Sequence, residues 1–287
     1  MEGKALDRAA RRTGMTGGER EPVFNLPGVV LLTLAVLIAV HALRLFAISD
    51  ADDAYLLRAL AFVPGQFSFA FNPDAVASEL TRLAETGDRQ KLLVGQFFLG
   101  KGKAQYWTPF TYALLHADWT HLAVNGLWLM AFGAPVARRL GAARFLALFA
   151  FTSLAGALAH FMMRPVDLSP VIGASAAVSG LTAAALRFIF QPGAPLGPQP
   201  WYGPLSPEAA VRQPALGLAA AVRDRKVLQF MAIWFVINLA FGLLAGPLGL
   251  SDYSVAWEAH VGGFVAGFLF FAWFDRAFPQ WAAESGS

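Results

Sequence analysis

The chain has 287 residues, 56% of them hydrophobic and only 14% charged, with a mean hydropathy of +0.51. A soluble domain carries about 25% charged residues, so the composition points to a membrane protein. The net charge of +3 is too small to argue for nucleic-acid binding, and the lack of cysteine excludes disulfides, thiolate catalysis and cysteine–zinc sites.

A helix needs about 20 apolar residues to cross the hydrocarbon core. Six stretches meet or approach that length: 26–46, 120–136, 142–163, 174–190, 227–244 and 255–274. The second and fourth are short and carry polar residues. The first starts late, is long and has no small-residue cleavage site close behind it, so it reads as a span and not as a cleaved signal. The expectation is an all-α membrane protein, a bundle of six transmembrane helices over 26–276. It is flanked by a segment at 1–25 and a tail at 277–287. A long first loop (48–119) holds the aromatics Phe62, Phe67, Phe69 and Phe71 and an amphipathic stretch near 74–84. A second long connection (191–226) opens with a proline-rich segment, 192–207, that reads as extended and mobile. No internal repeat is visible.

Orientation follows from Lys and Arg, which favour the cytoplasmic side. With both termini inside, fourteen of the 22 basic residues fall on inside segments, and the short outside loops hold only Arg164. The other seven lie in or beside the long first loop, where the rule counts for little. Both termini are therefore expected to be cytoplasmic. The second, fourth and sixth spans then run from outside to inside, with their N-terminal ends at the outer face.

Polar residues gather at those ends. His121 and Asn125, four apart on one helix face, open the second span after His116. Ser175 opens the fourth span, behind Gly173. His260 lies in the first turns of the sixth. Gly263 and Gly267 share the face of His260 and form a close-packing pattern for helices in lipid. The fourth span is itself lined with small residues, so the two helices can approach and bring His260 within hydrogen-bond reach of Ser175. A serine hydroxyl is a weak nucleophile until a base takes its proton, and histidine is the usual base. His121 and Asn125 could donate to the oxyanion of a tetrahedral intermediate. Each residue also has a plainer reading. A lone serine in an apolar helix usually bonds its own backbone, and His121 with Asn125 could simply tie helices together. His41 and His160 read as structural. The convergence on one depth favours chemistry.

The ordered set His116, His121 and Asn125, then Gly173-Ala174-Ser175, then Ala259-His260 with Gly263 and Gly267, resembles the rhomboid intramembrane serine proteases. The resemblance covers roughly 107–275, and Thr111, Phe132-Gly133 and Gly141 also fit it. It implies a dyad of Ser175 and His260 without a carboxylate, since Glu258 points elsewhere. It also implies an acyl-enzyme route and an oxyanion hole of His121, Asn125 and the Ser175 N–H. His116 would shape the first loop. Substrates would be transmembrane segments of membrane proteins, cut near their outer end through a water-filled cavity, with no cofactor or metal. The setting implied is a bacterial plasma membrane.

Departures from the family pattern are Ala176 for a glycine, Ser179 for an aromatic that stacks on the histidine, Thr108 for an arginine, and Ala137 for an acidic residue. Ser179 leaves His260 either less fixed or held by another aromatic. An inactive rhomboid-like protein that binds membrane clients is the alternative. A proton-relay transporter fits less well, because the polar set sits at one end of the spans and not along a path.

Overall fold

The computed structural model describes residues 26–201, 203–244 and 256–275. The segment 1–25 with its basic residues, Arg276 and the tail 277–287 lie outside the described residues. Helix α1 (Gly28–Phe46) comes first. The region read as a long loop is largely helical: α2 (Asp50–Leu60), α3 (Pro64–Phe69), α4 (Pro73–Glu85), α5 (Arg89–Leu99), α6 (Thr108–Thr111) and a 3-10 turn at Tyr112–Leu114. Local chemistry accounts for these starts. Ser49, Asn72 and Asp88 cap α2, α4 and α5 by accepting from the backbone N–H three residues on. Asp50, Asp52 and Asp53 complement the positive end of the α2 dipole. The helices are short and mixed in polarity, which is why a search for long apolar runs passes over them.

The second apolar stretch is a continuous helical run made of α7 (Trp119–Trp128), a π-helical turn at Leu129–Gly133 and α8 (Ala134–Leu140). Pro135 has no N–H to give the carbonyl of Ala131, so the regular ladder fails there. Then follow α9 (Ala142–Met163) and α10 (Ser175–Leu186), the latter shorter than the 174–190 read from hydropathy. At about 1.5 Å per residue, α10 spans only about 18 Å. The proline-rich stretch is folded into turns rather than extended: Gly193 N–H bonds Pro198 O, and Leu196 N–H bonds Ile189 O. Two short helices, α11 (Pro207–Val211) and α12 (Leu218–Ala221), lead to α13 (Arg225–Leu244) and α14 (Trp257–Phe274). Among the described residues there is no strand, only an isolated bridge between Phe62 and Val171. Of the helices among the described residues, four, α1, α9, α13 and α14, are long and apolar enough to cross a membrane.

The centre of the bundle is α14 against α9 and α10. A side chain at Gly263 would collide with the carbonyl of Ala176, and one at Gly267 with the carbonyl of Gly180. On the adjoining face, a Cβ on Gly262 would lie 2.8 Å from Ala155 O, and one on Gly156 2.7 Å from Ala259 O. Backbone thus meets backbone on two faces of one helix. By contrast α13 buries only Val227, Trp234 and Asn238.

At the bundle end away from Ser175, polar groups lash the elements together. Arg139 pairs with Asp275 at 2.8 Å with both side chains buried, and also donates to Val211 O and Gln213 O. Arg187 donates to Leu216 O and Phe268 O. These bonds seat the connection after α10 on the ends of α8 and α14.

Gly263→Val is expected to destabilise the protein by at least about 1–3 kcal/mol, the usual cost of overpacking a tight interface. Thermal unfolding in detergent checks it. Gly28→Val, where a Cβ would meet nothing within 4 Å, should leave the midpoint nearly unchanged.

Candidate active site

Ser175 is the first residue of α10 and the only residue of 173–189 that is not buried. Gly173 makes this possible. Its φ of +123° is a conformation that L side chains rarely adopt. A Cβ there would lie 2.7 Å from His121 Cε1, 2.8 Å from His121 Nε2 and 3.5 Å from Ser175 Oγ. The His121 ring and the Ser175 hydroxyl therefore border the same small space beside the glycine. The N–H of Ser175 belongs to the first helical turn, whose amides have no intrahelical acceptor.

His121 and Asn125 stand on one face of α7, as their spacing implied. Asp118 starts that helix by accepting from His121 N–H at 2.7 Å. Asn125 is buried, and its Nδ2 has no hydrogen-bond partner among the described residues. His116 is fully buried, its ring edge-on to His121 with centroids 5.1 Å apart. Its Nε2 accepts from Ala174 N–H at 3.5 Å. Its carbonyl is held by Arg44 of α1 at 2.7 Å, and Arg44 is fixed in turn by Asp53 of α2. Tyr112 adds a second anchor: its carbonyl accepts from Gly173 N–H and its hydroxyl donates to Ser153 O of α9. His41 contacts Trp119 edge-on, and His160 faces Glu258 at 3.4 Å.

His260 sits one turn before Gly263, on the helix whose backbone touches α10 at Ala176. The helices meet as expected, but among the described residues no hydrogen bond joins Ser175 and His260. On the side of α13, His260 Nδ1 is 2.6 Å from Asn238 Oδ1. Glu258, two residues before His260, turns away to Arg164 at 2.6 Å. Ser179 is buried one turn along α10 from Ser175. Sequence reasoning missed Asn238, although an amide within an apolar span is itself a signal of function.

The fold and this cluster define a multi-pass helical membrane protein with a serine, histidines and an asparagine gathered at one end of the bundle. The chain belongs to the rhomboid family: a family model described as the rhomboid domain matches residues 103–276, more than half of the chain. It is 37% identical over 91 residues to YdcA, a candidate rhomboid protease of Bacillus subtilis (strain 168), over 32% of this chain and 45% of YdcA. It is 32% identical over 104 residues to rhomboid protease GluP of the same organism, over 36% of this chain and 18% of GluP. Each similarity spans less than half of the relative's length.

Gly173→Ala is expected to lower stability by about 1–3 kcal/mol through backbone strain, with the clash against His121 adding to it. Gly87→Ala separates the two effects. Gly87 has φ +72° with nothing within 4 Å, so it should lose stability by strain alone. The difference in thermal midpoints between the two variants reads the contact with His121.

Proposed function

We propose that this protein is an intramembrane serine endopeptidase that cleaves peptide bonds in or near transmembrane segments of other membrane proteins. The observation that carries the reading is the placement of Ser175. It is a half-buried serine in an otherwise buried run, bordered by His121, on the helix that α14 approaches through Gly263. The protease names of the two Bacillus relatives support the same reading.

In this mechanism Ser175 Oγ attacks the scissile carbonyl carbon while His260 Nε2 takes the hydroxyl proton. The carbonyl oxygen becomes an oxyanion and accepts hydrogen bonds from His121, from Asn125 Nδ2 and from the Ser175 N–H. Collapse breaks the C–N bond, and the leaving amine takes the proton from the imidazolium. The ester on Ser175 is then hydrolysed by water, with His260 again as base. The buried Asn125 amide suits the oxyanion role, since a donor left without an acceptor is costly and gains one when the oxyanion forms. The missing bond between Ser175 and His260 is compatible with this scheme, because catalytic hydrogen bonds in free enzymes are often long and tighten with substrate.

The topology that goes with this function has six spans, α7–α8 and the short α10 supplementing the four long helices, and both termini cytoplasmic. The site then opens to the outer side, which supplies the water. A bacterial plasma membrane is the setting, in line with the relatives' source.

The test is cleavage of a single-span substrate by the purified protein in detergent. Ser175→Ala should abolish cutting and labelling by a fluorophosphonate. His121→Ala and Asn125→Ala should each slow cutting by about 10²–10³-fold. Cleavage that survives Ser175→Ala would overturn the mechanism, and a protein that binds the segment without cutting it would be a client-binding relative.

The natural lack of cysteine makes the topology easy to read. Ser169→Cys should react with an impermeant thiol reagent on intact cells, and Arg223→Cys only after permeabilisation. The reverse pattern would invert the orientation.

A further inference from the structure

We infer that Asn238 is a positioning residue that sets the tautomer and orientation of His260, so that the base of the reaction is held from α13. This role rests on the proposal that Ser175 and His260 are the reacting pair.

The argument starts from the amide. Asn238 Nδ2 lies 3.4 Å from the carbonyl oxygen of Trp257, a group that can only accept. That contact turns the NH2 end of the amide towards Trp257, so Oδ1 faces the imidazole, at 2.6 Å from Nδ1. An amide oxygen can only accept. Nδ1 therefore carries the ring proton, and in the neutral imidazole Nε2 is left with the lone pair. Nε2 is the nitrogen a base needs to take a proton from Ser175.

The surrounding contacts hold Asn238 in place. Trp234, one turn earlier on α13, stacks on Phe264 of α14 with centroids 4.2 Å apart. One turn later, a Cβ on Gly242 would lie 2.6 Å from Trp257 Cβ. The stripe 234, 238, 242 thus runs along α14 beside Trp257, His260 and Phe264. Asn238 is also one of only three residues that α13 buries. This amide takes over the fixing of the ring that Ser179, replacing the family's aromatic, does not provide. The same logic governs serine proteases in which a third group orients the histidine, with a neutral amide here in place of a carboxylate. The titratable groups around His260 are His121, Glu258 and His160, and none of them lies on α13.

The experiment compares the parent, Asn238→Leu and Asn238→Asp in detergent, by substrate cleavage and by the rate of fluorophosphonate labelling of Ser175. Asn238→Leu keeps the volume and removes the acceptor. It should lower kcat and the labelling rate by about 10- to 100-fold, within the range general-base catalysis supplies, with KM unchanged. Asn238→Asp keeps the acceptor and should restore kcat at high pH. Its carboxylate favours the imidazolium, so the acid limb of the pH–kcat profile should move to higher pH. That limb is the readout a merely structural role would not move, and it stands even if Asn238→Leu fails to fold. Parental kcat in a folded Asn238→Leu, or a parental pH profile in Asn238→Asp, overturns the role of Asn238. A parent that neither cleaves nor labels at Ser175 overturns the protease reading itself.

Discussion

The missing side chains at Gly156, Gly262, Gly263 and Gly267 are the constraint on which this structure depends. In lipid there is little hydrophobic gain in pressing one helix on another, so association comes from close van der Waals contact and interhelical hydrogen bonds. Here α14 fits against α9 on one face and α10 on the other at distances that no Cβ allows. The contact with Ala176 comes one residue after Ser175, and Gly263 comes one turn after His260. The interface that holds the bundle together is therefore also the one that brings the serine and the histidine to the same end.

Polar lashings finish what the glycines begin. At the Ser175 end, Arg44 ties the His116 carbonyl to α1 and, through Asp53, to α2. Tyr112 ties the backbone before Ser175 to α9. At the other end, the buried Arg139–Asp275 pair and Arg187 gather α8, α14 and the connection after α10. Buried charges need partners: Arg44 and Arg139 have carboxylates, and Arg187 donates to the carbonyls of Leu216 and Phe268. Helix α13 stands apart from this scheme. It is the least buried of the four long helices, yet it carries the amide that meets His260.

Much of this was legible in the residues. Hydropathy found α1, α9, α13 and α14 nearly to their ends, because a lipid-facing helix must be apolar along its whole length. The i, i+4 spacing of His121 and Asn125 and the Gly263–Gly267 pattern gave a correct shared face in each case. Two regions show what local patterns leave out. The amphipathic stretch near 74–84 is α4, but the other capped helices of 48–119 are too short to leave a long apolar run. The proline-rich stretch, expected to be extended, is not. It turns back on itself because Gly193 and Leu196 find carbonyl partners that proline content alone does not reveal.

By itself the sequence determined that the chain is a helical membrane protein and that a serine, histidines and an asparagine lie near the starts of its helices. These follow from composition and from local spacing along single helices. Only the tertiary structure decided what each residue faces. It put His121 against Gly173, left Asn125 Nδ2 without a partner among the described residues, turned Glu258 to Arg164 and joined His260 to Asn238. Those outcomes depend on the register and rotation of one helix against another, which arise from contacts between residues far apart in the chain. No local pattern encodes them, so an amide on α13 became visible as the partner of His260 only once the helices were placed.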